Sequence, residues 1–93
     1  MAYDIRPHNS FERPFSKLTT GDKKRVIEKL ELIAQHPEKT GAPMGNLPAD
    51  LRGLHKIRVG DRRLFFWVDN EKKEIVPYTI DKHDKAYKNL YKS

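Results

Sequence analysis

The apolar positions change period once along the chain, from the spacing of helices to that of strands. In the N-terminal half, Phe11, Phe15 and Leu18 fall at i, i+4 and i+7 behind Asn9 or Ser10 as a cap, which predicts a short helix. Pro14 obscures where that helix starts, because a proline beyond the first turn removes a backbone hydrogen bond. A second helix is predicted from a Thr19 or Thr20 cap through Gln35. It carries Val26, Ile27, Leu30, Ile33 and Ala34 on one stripe, with Lys23, Lys24, Glu28, Lys29 and Glu31 elsewhere, and Pro37 stops it. Ahead of both helices, Ala2 to Pro7 fits a short first strand.

From Leu51 onward the pattern is that of strands. Leu51 to Val59 and Arg62 to Val68 are rich in β-formers, and Gly60-Asp61 between them is a two-residue connection with glycine first, as a type II′ hairpin turn requires. A third strand, Glu74 to Ile80, follows a loop at Asp69 to Lys73. Pro77 inside it implies an edge position or a bulge, because proline cannot donate to a ladder. Asp81 to Tyr91 reads as a short helical segment, and Thr40 to Pro48, with two Gly and two Pro, as the loop joining the halves. The predicted architecture is one α+β domain over residues 1–93. Two N-terminal helices pack on one face of a small antiparallel sheet.

Composition narrows the function classes. Charged residues make up 34% of the chain and hydrophobic ones 37%, and no apolar run approaches the ~20 residues that span a bilayer, which excludes a helical membrane protein. With no cysteine there is neither a disulfide framework nor a thiolate metal site. The sequence MAYDIRPHNS lacks the apolar core of a secretory signal, so a cytoplasmic location is expected. Nineteen Lys and Arg against thirteen Asp and Glu give a net charge of +6, which favours polyanionic partners.

Hairpin arithmetic places that charge. If Gly60-Asp61 is the turn, Arg58 faces Arg63, Ile57 faces Leu64, Lys56 faces Phe65, His55 faces Phe66 and Leu54 faces Trp67. Ile57, Val59, Leu64, Phe66 and Val68 then form the core side. Leu54, Lys56, Arg58, Arg63, Phe65 and Trp67 share the other side, which is cationic and aromatic. Arginine offers a planar fork of donors to phosphate oxygens, and Phe65 or Trp67 offers a ring on which a base stacks. The pattern is that of a nucleic-acid groove or, alternatively, of a solvated outer face with Lys and Arg stems laid across aromatic rings. In the tail, His83 and Tyr87 are four apart and share a face if the segment is helical, placing two proton-transferring groups together. His8, His36 and His55 form no ligand spacing, so no metal or other cofactor is expected.

The run LRGLHKIRVGDRRLFFWV, followed by EIVPYTIDKHDKAY, resembles the RelE/ParE toxin superfamily, with its R-V-G-x-Y-R-like hairpin and G-H-R-x-x-V-Y-like tail. The preceding FERPFSKLTTGDKKRVIEKLELIAQHP is similar to that family's helical start. The resemblance implies a small α+β fold. In the RelE branch it implies an endoribonuclease that cuts mRNA in the ribosomal A site without a metal, by attack of the substrate's 2′-hydroxyl on the adjacent phosphate, and that a cognate antitoxin neutralises. On matching positions it implies that Lys56 and Arg58 hold the phosphate backbone, that Arg63 stabilises charge on the scissile phosphate, and that Tyr87 stacks on a base or assists proton transfer. Arg62 stands where a tyrosine is usual, and Asp81-Lys82-His83 replaces the Gly-His-Arg-like triplet. Lys82 or His83 then stands in for the tail arginine. A ParE-like inhibitor of DNA gyrase and a catalytically weakened RNA-binding homologue are the alternatives.

Overall fold

A computed structural model of the chain describes residues 2–82. The elements in order are β1 (Asp4–Ile5), a 3₁₀ turn (Asn9–Phe11) leading into α1 (Glu12–Ser16), α2 (Thr20–Gln35), 3₁₀ turns at Pro37–Thr40 and Ala49–Leu51, then β2 (His55–Val59), β3 (Arg62–Asp69) and β4 (Glu74–Lys82). The four strands form one sheet in the order β1-β4-β3-β2. The fold is α+β, as expected, but the sheet is mixed rather than antiparallel. β1 runs parallel to β4 through Asp4↔Glu74 and Ile5↔Ile75, while β2, β3 and β4 are antiparallel neighbours. Short turns oblige β2, β3 and β4 to alternate direction, whereas β1 reaches β4 only after the helices and two strands intervene, so no turn constrains its sense. β4 also continues through Asp81 and Lys82, where a helical segment was expected.

Local chemistry explains the helices. Thr19 has the extended backbone of an N-cap, its Oγ1 accepts the Asp22 N–H at 3.2 Å, and Asp22 sits in the first turn, where a negative charge opposes the helix dipole. Val26, Leu30, Ile33 and Ala34 are buried. Ile27, expected on the same stripe, is 45% exposed, because it lies about 100° round the helix from Val26 and borders an open cavity with Ile5 of the edge strand β1 and Phe15 of α1. In α1, Pro14 falls in the first turn, where its missing N–H donor costs no bond within the helix. The side-chain cap belongs to the 3₁₀ turn that leads into α1, and it is His8 rather than Asn9 or Ser10: its Nδ1 accepts the Ser10 N–H, while the Ser10 hydroxyl donates to the Tyr78 carbonyl. α1 itself starts after Phe11 with no side-chain cap.

Both sides of the sheet are covered, not one. On the helix side Phe11, Leu18, Val26, Leu30, Ile33 and Ala34 close over Val59, Leu64, Phe66, Ile75 and Ile80. On the outer side Leu51, Leu54 and Phe65 form a second core, against which Met44, Leu47, Trp67 and Tyr78 pack. The stretch that reads as a connecting loop therefore acts as a cover. Met44 N–H donates to the Leu54 carbonyl at 2.9 Å, pinning the loop against the start of β2.

Candidate nucleic-acid interface

The basic face is built by the β2–β3 hairpin. Gly60 has φ of +64° while Asp61 stays at negative φ, the pattern of a type II′ turn, whose twist matches that of the flanking strands. Because the connection is two residues long, the register is forced: Val59↔Arg62, Arg58↔Arg63, Ile57↔Leu64, Lys56↔Phe65 and His55↔Phe66. Alternation then puts Lys56, Arg58 and Arg63 on the outer side, as the sequence predicts. Lys56 and Arg58 are exposed and Arg63 is half-buried. Neither arginine makes an ion pair among the described residues. Arg58 also borders a groove at the open edge of β2 with Arg25, Glu28 and Lys29 of α2, so three cations and one carboxylate meet there.

The other basic residue of the hairpin has a structural task. Arg62 points to the helix side, where its Nε lies 3.8 Å from Asp22 Oδ2; Asp22 also meets Arg25 at 4.0 Å. Buried Nε of Arg62 makes no hydrogen bond, so this ion pair is its main compensation. Lys82 stands opposite Arg62 in the register, which assigns it to the helix side, away from Arg58 and Arg63. The residue opposite Arg63 is instead Asp81, which places a carboxylate beside the arginine pair.

The aromatic residues divide. Phe65, expected to offer a stacking ring, is 0% exposed and belongs to the outer core, because Leu51 and Leu54 close over it. Trp67 is half-buried: its Nε1 donates to the Arg52 carbonyl at 3.2 Å, and its ring meets Tyr78 edge-on with centroids 5.0 Å apart. His83 and Tyr87 lie outside the described residues. Among the described residues no group of three His, Cys, Asp or Glu is placed to hold a metal ion, and no helix is long and apolar enough to cross a membrane.

Three residues not singled out from the sequence come forward. His55 is buried at 9% exposure, stacks on Phe66 at 5.4 Å and 15°, and has no partner for Nδ1. Desolvation holds its imidazole below the usual histidine range. The hairpin register signals this placement, since His55 shares the face of Ile57 and Val59. His8 and Tyr78 gather around Trp67, and only the pairing of the N-terminal segment with β4 brings them there. A cavity of about 490 Å³, lined by Ile5, Phe15 and Ile27 among others, opens on the helix side. The cationic side is an open surface, a shape suited to an extended polymer.

No protein-family model matches the sequence, and neither does any curated protein. Solved structures do. The toxin–antitoxin complex RelBE2 from Mycobacterium tuberculosis is 24% identical, covering 89% of this chain and 100% of that one with a TM-score of 0.71. A double-arginine mutant of the toxin RelE from E. coli in its free state reaches a TM-score of 0.76 at 20% identity, over 99% of this chain and 97% of that one. The archaeal RelE–RelB complex from Pyrococcus horikoshii scores 0.67 at 19% identity, over 88% and 96%. The two helices and four-stranded mixed sheet are thus the fold of the RelE toxins.

Proposed function

We propose that this chain, having the RelE fold, is a RelE-type toxin: a cytoplasmic, metal-independent endoribonuclease that cuts mRNA in the ribosomal A site and is held inactive by a cognate antitoxin. The observation that carries this reading is the cross-strand pair Arg58 and Arg63, two like charges facing each other without a carboxylate ion pair among the described residues. Such a pair costs the sheet about 0.2 to 1 kcal/mol, and an anion between the guanidinium groups turns that cost into attraction. In the reaction the ribose 2′-oxygen attacks the adjacent phosphorus, the P–O5′ bond breaks, and a 2′,3′-cyclic phosphate and a 5′-hydroxyl result. Charge that gathers on the phosphate oxygens is met by Arg63 and Arg58, while Lys56 holds a neighbouring phosphate. His83 and Tyr87 are assigned the proton transfers, one removing the 2′ proton and the other protonating the leaving oxygen. The complexes of related toxins with RelB support an antitoxin partner here.

One observation favours a second reading. Asp81 opposite Arg63 lowers the positive potential where the scissile phosphate would sit, which fits an RNA-binding homologue with little turnover. Purified protein added to programmed ribosomes, with mRNA ends mapped, separates the two. A-site cuts that fall about 10²- to 10³-fold in Arg63→Ala establish the nuclease, by the scale of one lost charge-stabilising donor. Bound but intact message establishes the binder.

A further inference from the structure

We propose that His8, Trp67 and Tyr78 form a nucleobase-binding site beside the basic face, an inference that rests on the RNA-directed function above and adds the residues that would take a base. Three separate features deliver these side chains to one place. The N-terminal segment lies along β4 through Arg6 N–H to the Ile75 carbonyl and His8 N–H to the Pro77 carbonyl, which carries His8 past the edge of the sheet. A bulge in the β3–β4 ladder leaves Tyr78 as the extra residue between Pro77, opposite Phe66, and Thr79, opposite Phe65. Bulges re-aim side chains, and this one joins Tyr78 to the outer-side cluster of Phe65 and Trp67. Ser10 then fixes the imidazole: its N–H and hydroxyl lie 3.2 and 2.8 Å from His8 Nδ1, and the hydroxyl also donates to the Tyr78 carbonyl at 2.7 Å. The three rings meet with centroids 5.0 to 5.7 Å apart.

Packing alone does not require this arrangement of His8. The outer core is closed by Leu51, Leu54 and Phe65, and His8 remains exposed beside it. With Nδ1 engaged by Ser10, Nε2 is the ring atom left to donate to or accept from a ligand. Exposed π-surface with one polar edge suits a planar heterocycle better than a phosphate. Position supports the same class of ligand: Trp67 is four residues beyond Arg63 on the same side of β3, about 13 Å at 3.3 Å per residue, so a strand whose phosphate meets Arg63 brings a nearby base to Trp67.

Trp67 is the sole tryptophan of the chain, so intrinsic fluorescence reports on this cluster alone. The test titrates the full chain with a short single-stranded RNA, following Trp67 emission and, with an end-labelled copy, anisotropy. The expected result is saturable quenching with the anisotropy midpoint, and little quenching by a strand made abasic throughout. His8→Ala and Tyr78→Ala should each weaken binding about 5- to 150-fold, the scale of one stacked base. His8→Phe, which keeps a ring, should recover much of the loss, and melting curves establish that each variant is folded. Ser10→Ala, which frees the imidazole without removing it, should weaken binding less than His8→Ala. Binding seen by anisotropy with unchanged Trp67 emission, and with His8→Ala equal to the original chain, overturns the site and leaves the RNA-directed function standing. Absence of both signals likewise overturns the site, while the RNA-directed function stands or falls by the mapped mRNA ends on programmed ribosomes.

Discussion

Replacing Phe65 tests whether the hairpin's central ring is core or RNA platform. Its side chain is 0% exposed and sits between Leu51 and Leu54 under the 44–54 segment. Truncation to alanine removes the whole ring from a packed site, which costs about 3 to 5 kcal/mol from lost transfer energy and the cavity left behind. Against a typical total of about 5 to 15 kcal/mol, that is enough to unfold much of the population, so Phe65→Leu is the informative variant. Leucine keeps an apolar side chain and loses part of the volume, for a cost of about 1 to 2 kcal/mol. At about 4 to 8 °C per kcal/mol for a chain of this length, the melting midpoint should fall by about 4 to 16 °C. RNA affinity, measured well below the new midpoint, should not change, because the ring never reaches the solvent side. Thermal melts followed by circular dichroism, with anisotropy titrations at 15 to 20 °C on the order of laboratory conditions, supply both numbers. An unchanged midpoint with several-fold weaker RNA binding refutes the reasoning, since it requires an exposed ring that stacks.

His55 gives a pH dependence with a definite sign. Its folded imidazole is held below its unfolded range by desolvation, so the unfolded chain takes up a proton first as pH falls. Stability should therefore decline from about pH 6.5 downward and level off once the folded state is protonated too, and His55→Phe, which preserves the stack on Phe66, should remove that part of the slope in denaturant melts. Gly60→Ala forces an L side chain to φ of +64°, so melting should show a loss of about 1 to 2 kcal/mol; an unchanged midpoint would argue against the type II′ turn. Asp81→Asn removes the carboxylate opposite Arg63 and should tighten RNA binding up to about fivefold at low salt, with the gain fading as salt rises; equal affinities at low salt would remove Asp81 from the interface. DNA supercoiling by purified gyrase should proceed normally in the presence of the chain, and inhibition at micromolar protein would favour the ParE-like alternative.

The elements legible in the sequence are those whose geometry is decided within a few residues. Thr19 caps α2 because its hydroxyl reaches an N–H three residues on, and the Gly60-Asp61 turn sets the β2–β3 register because a two-residue connection admits one pairing. From that register alone, Lys56, Arg58 and Arg63 share a face, so the heart of the candidate site follows from local chemistry. Pro77, with no N–H to give, implies an edge position or a bulge, and the structure takes the bulge, since β4 lies inside the sheet. Tertiary structure decided what depends on residues distant in sequence. Alternation puts Phe65 on the outer side but carries no information about whether that side is wet, and the 44–54 segment makes it dry. The parallel pairing of β1 with β4 joins residues about 70 apart, which no periodicity encodes, and with it comes the meeting of His8, Trp67 and Tyr78. Period and turn residues specify which way a side chain points from its own strand; what it meets there is set by long-range packing, whose energy belongs to the assembled fold and not to any local stretch of chain.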